Sequence, residues 1–454
     1  MRISVFQPFD SFLSSLQDVS EEGYEYLLKK PLFLLGQQGG RVREMFAKLP
    51  ARQAVTIYAG VLWVIPGAMV QSYLSLYMVD LGLSKTEVSV YPSLARVLGP
   101  LCLFLGGYLS DVWGRKKSLI LFDIISWGGY CLCLALATNK WCCIAAILFM
   151  AVNTASGVPY QCLLVEGVQP RQRASVFTVL QMVNLAPYLL FIPLLGGLWV
   201  ANRGRGPANH EMYWLFTFLV ALGIGWRWKK LSESRIFEKS PKAWWHIFGE
   251  GLSQYHKALG RFFKKPVSAT FFFSKFLDEW MLAAWTYYYA LYFVDHLGMK
   301  DSNLSVVVLG SAYAAFLTVF FIIPNLTQKQ VIRILGLDQI LGLAAFAVLL
   351  LWGPGSGNVL LVCLLSYCLS AAGGSLYNSV SAAVWMNIME EKERAKVVAA
   401  SSAFIQIGLV TVSLAGLLYG HVSPESLLWV MMGLRVLNFV LLRRVAKILS
   451  VGIR

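Results

Sequence analysis

Charged residues are scarce in this sequence. Asp, Glu, Lys and Arg make up 14% of its 454 residues, whereas a soluble globular domain carries roughly 25%. Apolar residues make up 57% of the chain, and the mean hydropathy is +0.60. These values exclude a disordered chain, a collagen-like repeat and a small secreted domain held together by disulfides. They predict an integral membrane protein.

The sequence also lacks the residue patterns of a metal site or a catalytic centre. All eight cysteines lie inside apolar segments, and none has a paired spacing with histidine in a polar loop. The five histidines are scattered over three outer loops and a central linker. No Gly-x4-Gly-Lys-Ser/Thr pattern occurs, so direct coupling to ATP is not indicated. We therefore expect no metal, no cofactor and no enzymatic activity.

The net charge of +15 is explained by where the basic residues lie. Most of the 39 Lys and Arg residues fall in segments that would face the cytoplasm, which is the positive-inside bias of membrane proteins. This distribution suits anionic lipid headgroups, and it offers no folded basic face to nucleic acid. The exceptions lie in predicted outer loops (Lys85, Lys140, Arg203, Arg205, Lys300) or inside apolar spans (Arg96, Lys275, Arg435).

The apolar runs divide the chain into two membrane halves. Residues 1–53 form an N-terminal extension without a span-length apolar run, and residues 54–228 hold six predicted spans. Residues 229–266 form a basic linker with an apolar stripe at helical spacing, which predicts an amphipathic helix in the cytoplasmic interface. Residues 267–447 hold six more spans, and residues 448–454 form a tail. We expect an all-α protein of the cell membrane, monomeric, with twelve transmembrane helices and both termini in the cytoplasm.

The two halves repeat one another in sequence. Residues 76–80 (Leu-Tyr-Met-Val-Asp), at the end of the first span, recur as residues 291–295 (Leu-Tyr-Phe-Val-Asp) at the end of the seventh. A second match joins residues 166–174, which follow the fourth span, with residues 387–395, which follow the tenth. The matched residues are 215 positions apart in the first match and 221 apart in the second. Two halves in the same orientation, related by an axis along the membrane normal, are typical of transporters.

The loop between the second and third spans carries a recognisable motif. It reads Gly107-Tyr-Leu-Ser-Asp111-Val-Trp-Gly114-Arg115-Lys116. This resembles the signature loop of the major facilitator superfamily, G-x-L-x-D-x-x-G-R-K, and the resemblance extends over residues 54–447. Glu166 and Arg173 are similar to the E-x6-R element of sugar porters in that superfamily. The resemblance implies the major facilitator fold of two six-helix bundles, with a cytoplasmic gating latch formed by Gly107, Asp111, Gly114, Arg115, Glu166, Arg173 and Arg394.

Physical roles can be assigned to several residues of this loop. We expect Gly107 to let two helices approach closely and Gly114 to form a tight turn. Asp111 can pair with Arg115 or cap a neighbouring helix. The equivalent loop of the second half, residues 325–330, lacks both the Asp and the Gly-Arg pair. The seventh span also lacks the paired glutamines of sugar porters, so the resemblance does not extend to sugar specificity.

The seventh span contains three charged residues, Lys275, Asp278 and Glu279, near the middle of the bilayer. A lone charge there costs at least about 2.5–3.5 kcal/mol on insertion scales. Lys275 lies three residues before Asp278 and four before Glu279, so it can reach either carboxylate. One lysine cannot neutralise both acids. These residues are predicted to bind a proton or the substrate; a static ion pair, with the other acid facing water, is the alternative.

Other polar residues inside the spans complete the predicted site. Arg96 is expected to be either an anion contact or a residue whose guanidinium reaches the headgroups, and Arg435 is expected to reach the headgroups. Asp123 and Asp338 are expected to cap or pair locally. Six polar residues are candidates for the wall of a central cavity: Gln71, Asn153, Gln161, Asn184, Asn378 and Gln406.

Together these features predict a secondary active transporter that moves a small solute across the bilayer by alternating access. We expect protons to drive it, with Asp278, Glu279, Lys275 and Arg96 as the coupling or substrate-binding residues. A passive uniporter of the same fold is the main alternative. A membrane sensor that binds a ligand without transport is another. A membrane-embedded enzyme would need a positioned His or Cys nucleophile, which the sequence does not indicate.

Overall fold

The computed structural model describes residues 46–47, 49–168, 170–233, 260, 262–322, 331–352, 355, 357–388 and 394–451. The predicted N-terminal extension and amphipathic linker fall largely outside the described residues. The described chain is helical throughout, apart from short connections, which confirms the all-α class. Its twelve helical segments, α1 to α12, are Ala51–Asp80; Glu87–Ala95 with Leu98–Trp113; Arg115–Ala135; Lys140–Val165; Pro170–Leu189 with Ile192–Arg203; Arg205–Lys230; Pro266–Leu291; Leu304–Ile322; Val331–Trp352; Val359–Ile388; Arg394–Gly408 with Leu409–Val412, Ser413–Leu417 and Leu418–Val422; and Pro424–Val451.

These helices have the length and composition of membrane spans. Within the described ranges, nine are long and apolar enough to cross a membrane, and α5 is a tenth if its two parts, bent by 41°, count as one span. Helices α6 and α7 are 26 residues long, which corresponds to about 39 Å. Neither is among these nine; α6 ends in basic residues, and α7 contains Lys275, Asp278 and Glu279.

Successive helices run in opposite directions, so the connections lie at two ends of the bundle. Three connections share one end of the bundle: residues 81–86, Gly204 and residues 297–300. We call it the outer end, after the predicted orientation. The turn at Gly114 lies at the opposite, inner end. The last helix, α12, begins at the outer end and runs to Val451, which is beyond the predicted limit of the second half at residue 447.

Each half packs its own six helices together, and the halves meet mainly along two pairs of helices, with smaller contacts of α7 with α1 and α2. In the first half α1 lies against α6, and α4 lies against α2 and α3; in the second, α10 lies against α8 and α9, and α12 against α7 and α9. Large aromatic side chains fill the core, among them the fully buried Tyr73, Tyr213, Tyr288 and Phe271. The halves meet where α2 packs against α11 and where α5 packs against α8.

The close approach of α2 to α4 occurs at Gly106 rather than at Gly107. A Cβ atom on Gly106 would lie 2.7 Å from the Cα atom of Ala155 and 2.8 Å from its carbonyl carbon. A Cβ atom on Gly107 would have no neighbour within 4 Å among the described residues. The prediction that Gly107 permits helix approach is therefore wrong. Adjacent residues are rotated by about 100° on a helix, so only one of the two glycines can face α4.

Alanine at these two glycines should have opposite effects. Gly106→Ala forces α2 away from α4 and should lower the free energy of unfolding by about 1–3 kcal/mol. Gly107→Ala adds a methyl group to open space in a helix, so it should leave stability unchanged or raise it by up to about 1 kcal/mol. Thermal unfolding of the two purified variants in one detergent measures both effects. Equal loss of stability in the two variants would contradict the assignment.

Candidate functional site

Two basic residues join the two halves at the outer end: Arg205, and Lys85, whose ammonium lies 3.6 Å from the Asp295 carboxylate. The guanidinium of Arg205, the first residue of α6, donates two hydrogen bonds to the carboxylate of Asp80 at the end of α1, one of them 2.7 Å long. The same guanidinium lies 3.9 Å from Asp295 and 3.8 Å from Asp301 of the second half. The hydrogen bonds to Asp80 raise the pKa of Arg205. We call Arg205 and these three acids the outer lock.

The outer lock brings together the two acids of the internal repeat. Asp80 ends the repeated segment of the first half, and Asp295 ends the matching segment of the second. The repeat therefore places one carboxylate on each half near the same point, and Arg205 lies between them. The role of Arg205 was not predicted, because its position in an outer loop marked it only as an exception to the charge bias.

Close packing surrounds the outer lock where α2 meets α7 and α11. The hydroxyl of Tyr288 donates to the carbonyl of Lys85 at 2.9 Å and contacts the Ser89 hydroxyl at 2.8 Å. A Cβ atom on Gly416 of α11 would lie 2.7 Å from the carbonyl oxygen of Thr86. These contacts cross from one half to the other, so the outer end of the molecule is closed in this structure.

The signature loop forms a network within the first half at the inner end. Gly114 has a φ of 98°, which confirms the predicted tight turn. The guanidinium of Arg115 donates to the Glu166 carboxylate at 3.2 Å and to the Ser110 hydroxyl at 2.8 Å. The Glu233 carboxylate, just after α6, accepts a 3.0 Å hydrogen bond from the backbone N–H that follows Arg115. The side chains of Asp111, Arg173 and Arg394 lie outside the described part of the chain.

The three charged residues of α7 divide between two environments. The ammonium of Lys275 lies 3.2 Å from the Glu279 carboxylate, and these side chains are 25% and 37% exposed. Glu279 is thirteen residues from the inner start of α7, or about 20 Å along the helix. Asp278 instead points into the core of the second half and is buried. Lys275 therefore pairs with only one of the two acids that it can reach.

Asp278 belongs to a buried cluster that joins α7, α9 and α12. One amino group of Arg435 donates to Asp338 at 2.8 Å and to Asp278 and Gln339 at 3.3 Å. Arg435 is only 7% exposed. The prediction that it reaches the headgroups is wrong, because two carboxylates in the core provide nearer counter-charges. We call Asp278, Asp338, Gln339 and Arg435 the C-terminal charge cluster.

The first half buries a simpler pair in the equivalent helices. Arg227 of α6 forms a buried ion pair with Asp123 of α3, and its guanidinium lies 4.4 Å from the centre of the Trp63 ring. We call Asp123 and Arg227 the N-terminal charge pair. Asp123 and Asp338 bind arginines 104 and 97 residues away along the chain. The prediction of local partners is therefore wrong for Asp123 and incomplete for Asp338, which accepts a hydrogen bond from its neighbour Gln339 but forms its ion pair with the distant arginine.

The structure places the remaining site candidates at several levels of the bundle. Arg96 of α2 donates a 3.1 Å hydrogen bond to Gln406 of α11, which joins the two halves. Asn153 accepts a hydrogen bond from Ser156 of its own helix. Asn184 is half-buried, and the other three candidates are exposed side chains: Gln71, Gln161 and Asn378.

Comparison with known families identifies the class of this protein. The family model of the Major Facilitator Superfamily matches residues 54–365. The chain belongs to the Major Facilitator Superfamily. It is therefore a membrane transporter and not an enzyme, as the signature loop predicts.

Solved structures of transporters share the fold at low sequence identity. A POT family transporter in complex with 5-aminolevulinic acid is 12% identical, with a TM-score of 0.67, and the match covers 88% of this chain and 97% of that one. The nucleoside transporter NupG is 15% identical, with a TM-score of 0.63 and coverage of 87% and 99%. The human organic anion transporter MFSD10 is 14% identical, with a TM-score of 0.59 and coverage of 86% and 99%. No curated protein matches the sequence.

Loss of Arg205 should open the outer end of the transporter. Arg205→Ala removes the guanidinium shared by the three acids of the outer lock. Among the described residues it leaves only the more exposed pair of Lys85 and Asp295 as an ion pair across this end. A loss of about 1 kcal/mol would raise the open-to-closed ratio about fivefold. Ser89→Cys, at a buried position on α2, reports opening through its rate of reaction with a membrane-impermeant maleimide, measured against the parent without this substitution.

Arg203→Ala provides the matched control for this experiment. Arg203 is two residues from Arg205, but it pairs at 2.7 Å with Glu211 of the same half and lowers the pKa of that carboxyl. Its loss should leave the labelling rate unchanged. The same rate for Arg205→Ala and Arg203→Ala would show that the outer lock does not hold the halves together.

The two buried charge groups should respond differently to loss of one carboxylate. Asp123→Asn leaves the charge of Arg227 uncompensated and should lower the free energy of unfolding by about 3–5 kcal/mol. Asp278→Asn leaves Asp338 to pair with Arg435, so it should cost much less. Thermal unfolding of the purified variants measures the difference. A loss for Asp278→Asn as large as that for Asp123→Asn would mean that Arg435 needs both acids.

Proposed function

We propose that this transporter is a secondary active carrier that moves a small solute by alternating access and that protons drive it. The observation that carries the proposal is the ion pair of Lys275 and Glu279, which is partly exposed about 20 Å along α7. A charge that faces lipid at this depth costs at least about 2.5–3.5 kcal/mol. The exposed pair therefore supports a water-filled pathway between the halves, with α7 as part of its wall.

The outer lock is suited to a contact that must break once in each transport cycle. The Arg205 side chain is 24% exposed, so water and ions screen its attraction to the acids. Exposed ion pairs contribute about 0.2–1 kcal/mol each, which thermal motion can overcome on the timescale of domain movements. We propose that the two halves rock about the central pathway and that the outer lock forms when the pathway faces inward.

The charges near the proposed pathway favour a solute that itself carries charge. Lys275 and Glu279 provide both signs, and Arg96 is hydrogen-bonded to the neutral amide of Gln406. An anionic group of the solute can therefore bind Arg96 without displacing an acid. The structural neighbours include proteins described with 5-aminolevulinic acid, nucleosides and organic anions. We propose the same three classes as the first solutes to test. We also propose that the protein lies in the cell membrane with both termini in the cytoplasm.

A carboxylate of α7 is the proposed binding site for the coupling proton. Two acids, Asp278 and Glu279, lie in adjacent positions, and Lys275 pairs with only one of them. Moving one proton down a potential of 100 mV releases about 2.3 kcal/mol. One proton per cycle is therefore sufficient to concentrate a solute by more than an order of magnitude.

Vesicles with a trapped pH dye test this function. We expect at least one of 5-aminolevulinic acid, uridine and a dicarboxylate, added singly outside, to change the internal pH in wild-type vesicles. The change should disappear in the double variant Asp278→Asn/Glu279→Gln. The control, Glu211→Gln, alters an acid at the outer surface and should behave as wild type.

The opposite result identifies a different mechanism. A solute that enters wild-type vesicles down its gradient without any change in internal pH would contradict proton coupling. Equal entry into vesicles of the double variant would then assign the protein as a passive uniporter.

A further inference from the structure

The two halves of the transporter bury different amounts of charge. The N-terminal charge pair has one carboxylate and one guanidinium, so it is neutral. The C-terminal charge cluster has two carboxylates, Asp278 and Asp338, for the single guanidinium of Arg435. With both acids ionised, this cluster carries one uncompensated negative charge in the membrane core. Burial of such a charge costs several kcal/mol, which one bound proton removes.

A single position of the internal repeat accounts for the difference. Trp63 is twelve residues after the start of α1, and Asp278 is twelve residues after the start of α7. Their separation of 215 residues is the offset that relates Asp80 to Asp295. In the first half, the Trp63 ring packs against the guanidinium of Arg227. In the second half, the equivalent position provides Asp278 as a second acid for Arg435.

The geometry of the cluster suits a shared proton. Gln339 donates a 2.6 Å hydrogen bond to Asp338 Oδ2, the oxygen that also accepts from Arg435. The other oxygen, Asp338 Oδ1, is buried and has no hydrogen-bond partner among the described residues. Asp278 Oδ1 and Asp338 Oδ2 accept from the same nitrogen of Arg435, at 3.3 and 2.8 Å, so the two carboxyl groups are neighbours. Neighbouring carboxyl groups can form a hydrogen bond with each other only when one of them is protonated, because an ionised carboxylate is only an acceptor.

Two glycines make room for the cluster. A Cβ atom on Gly373 of α10 would lie 2.7 Å from Asp338 Oδ1, and one on Gly342 of α9 would lie 2.6 Å from Arg435 Nε. The other titratable groups that face the two acids are Glu279, which is paired with Lys275, and the hydroxyl of Tyr377 on α10. Because Lys275 already neutralises Glu279, the excess negative charge belongs to Asp278 and Asp338.

We infer that the coupling proton of this transporter is shared by Asp278 and Asp338 in the C-terminal charge cluster and is not carried by Glu279. This inference rests on the proposed function. Asp278 is the link to the pathway, because its neighbour Glu279 is exposed there and Lys275 can reach either acid. A solute that engages Glu279 frees Lys275 to approach Asp278, and the added positive charge favours release of the proton.

Infrared spectroscopy of the full-length protein in nanodiscs tests the site without any solute. A protonated carboxyl group has a C=O stretching band that an ionised one lacks, so titration with pH should reveal one exchangeable buried carboxyl. We expect loss of this band in Asp278→Asn and in Asp338→Asn, because either variant leaves one acid paired with Arg435. Glu279→Gln, the matched change at the adjacent residue, should retain it. Loss of the band only in Glu279→Gln, or its absence from the wild type, would overturn the inference.

A second measurement separates failure of this inference from failure of the proposed function. With a solute that acidifies or alkalinises wild-type vesicles, Asp278→Asn should still allow downhill entry but abolish the pH change. An unchanged pH response in Asp278→Asn would overturn the inference and leave proton coupling intact. If the solute crosses wild-type vesicles without moving protons, the proposed function fails, and the infrared titration alone decides whether the pair holds a proton.

Discussion

Compensation of buried charge is the constraint on which the rest of this structure depends. Each half buries an arginine from its last helix, Arg227 in α6 and Arg435 in α12. Hydrocarbon offers no counter-ion, so each guanidinium must find carboxylates within its own half. Asp123 does this for Arg227, and Asp338 and Asp278 do it for Arg435. These contacts tie together helices that are distant in sequence and make each half a coherent unit.

The contacts between the halves differ from those within them. The outer lock is partly exposed, and its ion pairs are screened by water, whereas the charge groups inside each half are buried. A buried pair is costly to break, and an exposed pair is not. The ion pairs inside each half are therefore costly to break, whereas those of the outer lock between the halves are not. Movement of one half against the other requires this difference.

Much of the fold can be predicted from the sequence, because hydrophobic runs and the signature loop are local signals. The twelve helices, the turn at Gly114 and the pairing of Lys275 with one α7 acid all follow from spacing along the chain. The partners of Arg435 do not, because depth in the membrane does not specify which helix faces meet. Gly106 and Gly107 illustrate the same limit, since one step along a helix decides whether a glycine meets a neighbour. For the outer lock, the internal repeat is informative, because it places Asp80 and Asp295 at equivalent positions of the two halves.

The most direct test of the whole account is the equilibrium accumulation of a transported solute against a fixed pH gradient at zero membrane potential. At zero potential the charge of the solute does no work, so a carrier that moves the solute together with one proton must reach about a tenfold concentration ratio for each pH unit, because a factor of ten in concentration corresponds to about 1.4 kcal/mol. We expect this ratio for the wild type and a ratio of one for Asp278→Asn. A ratio of one for the wild type, with the solute still crossing, would contradict this expectation.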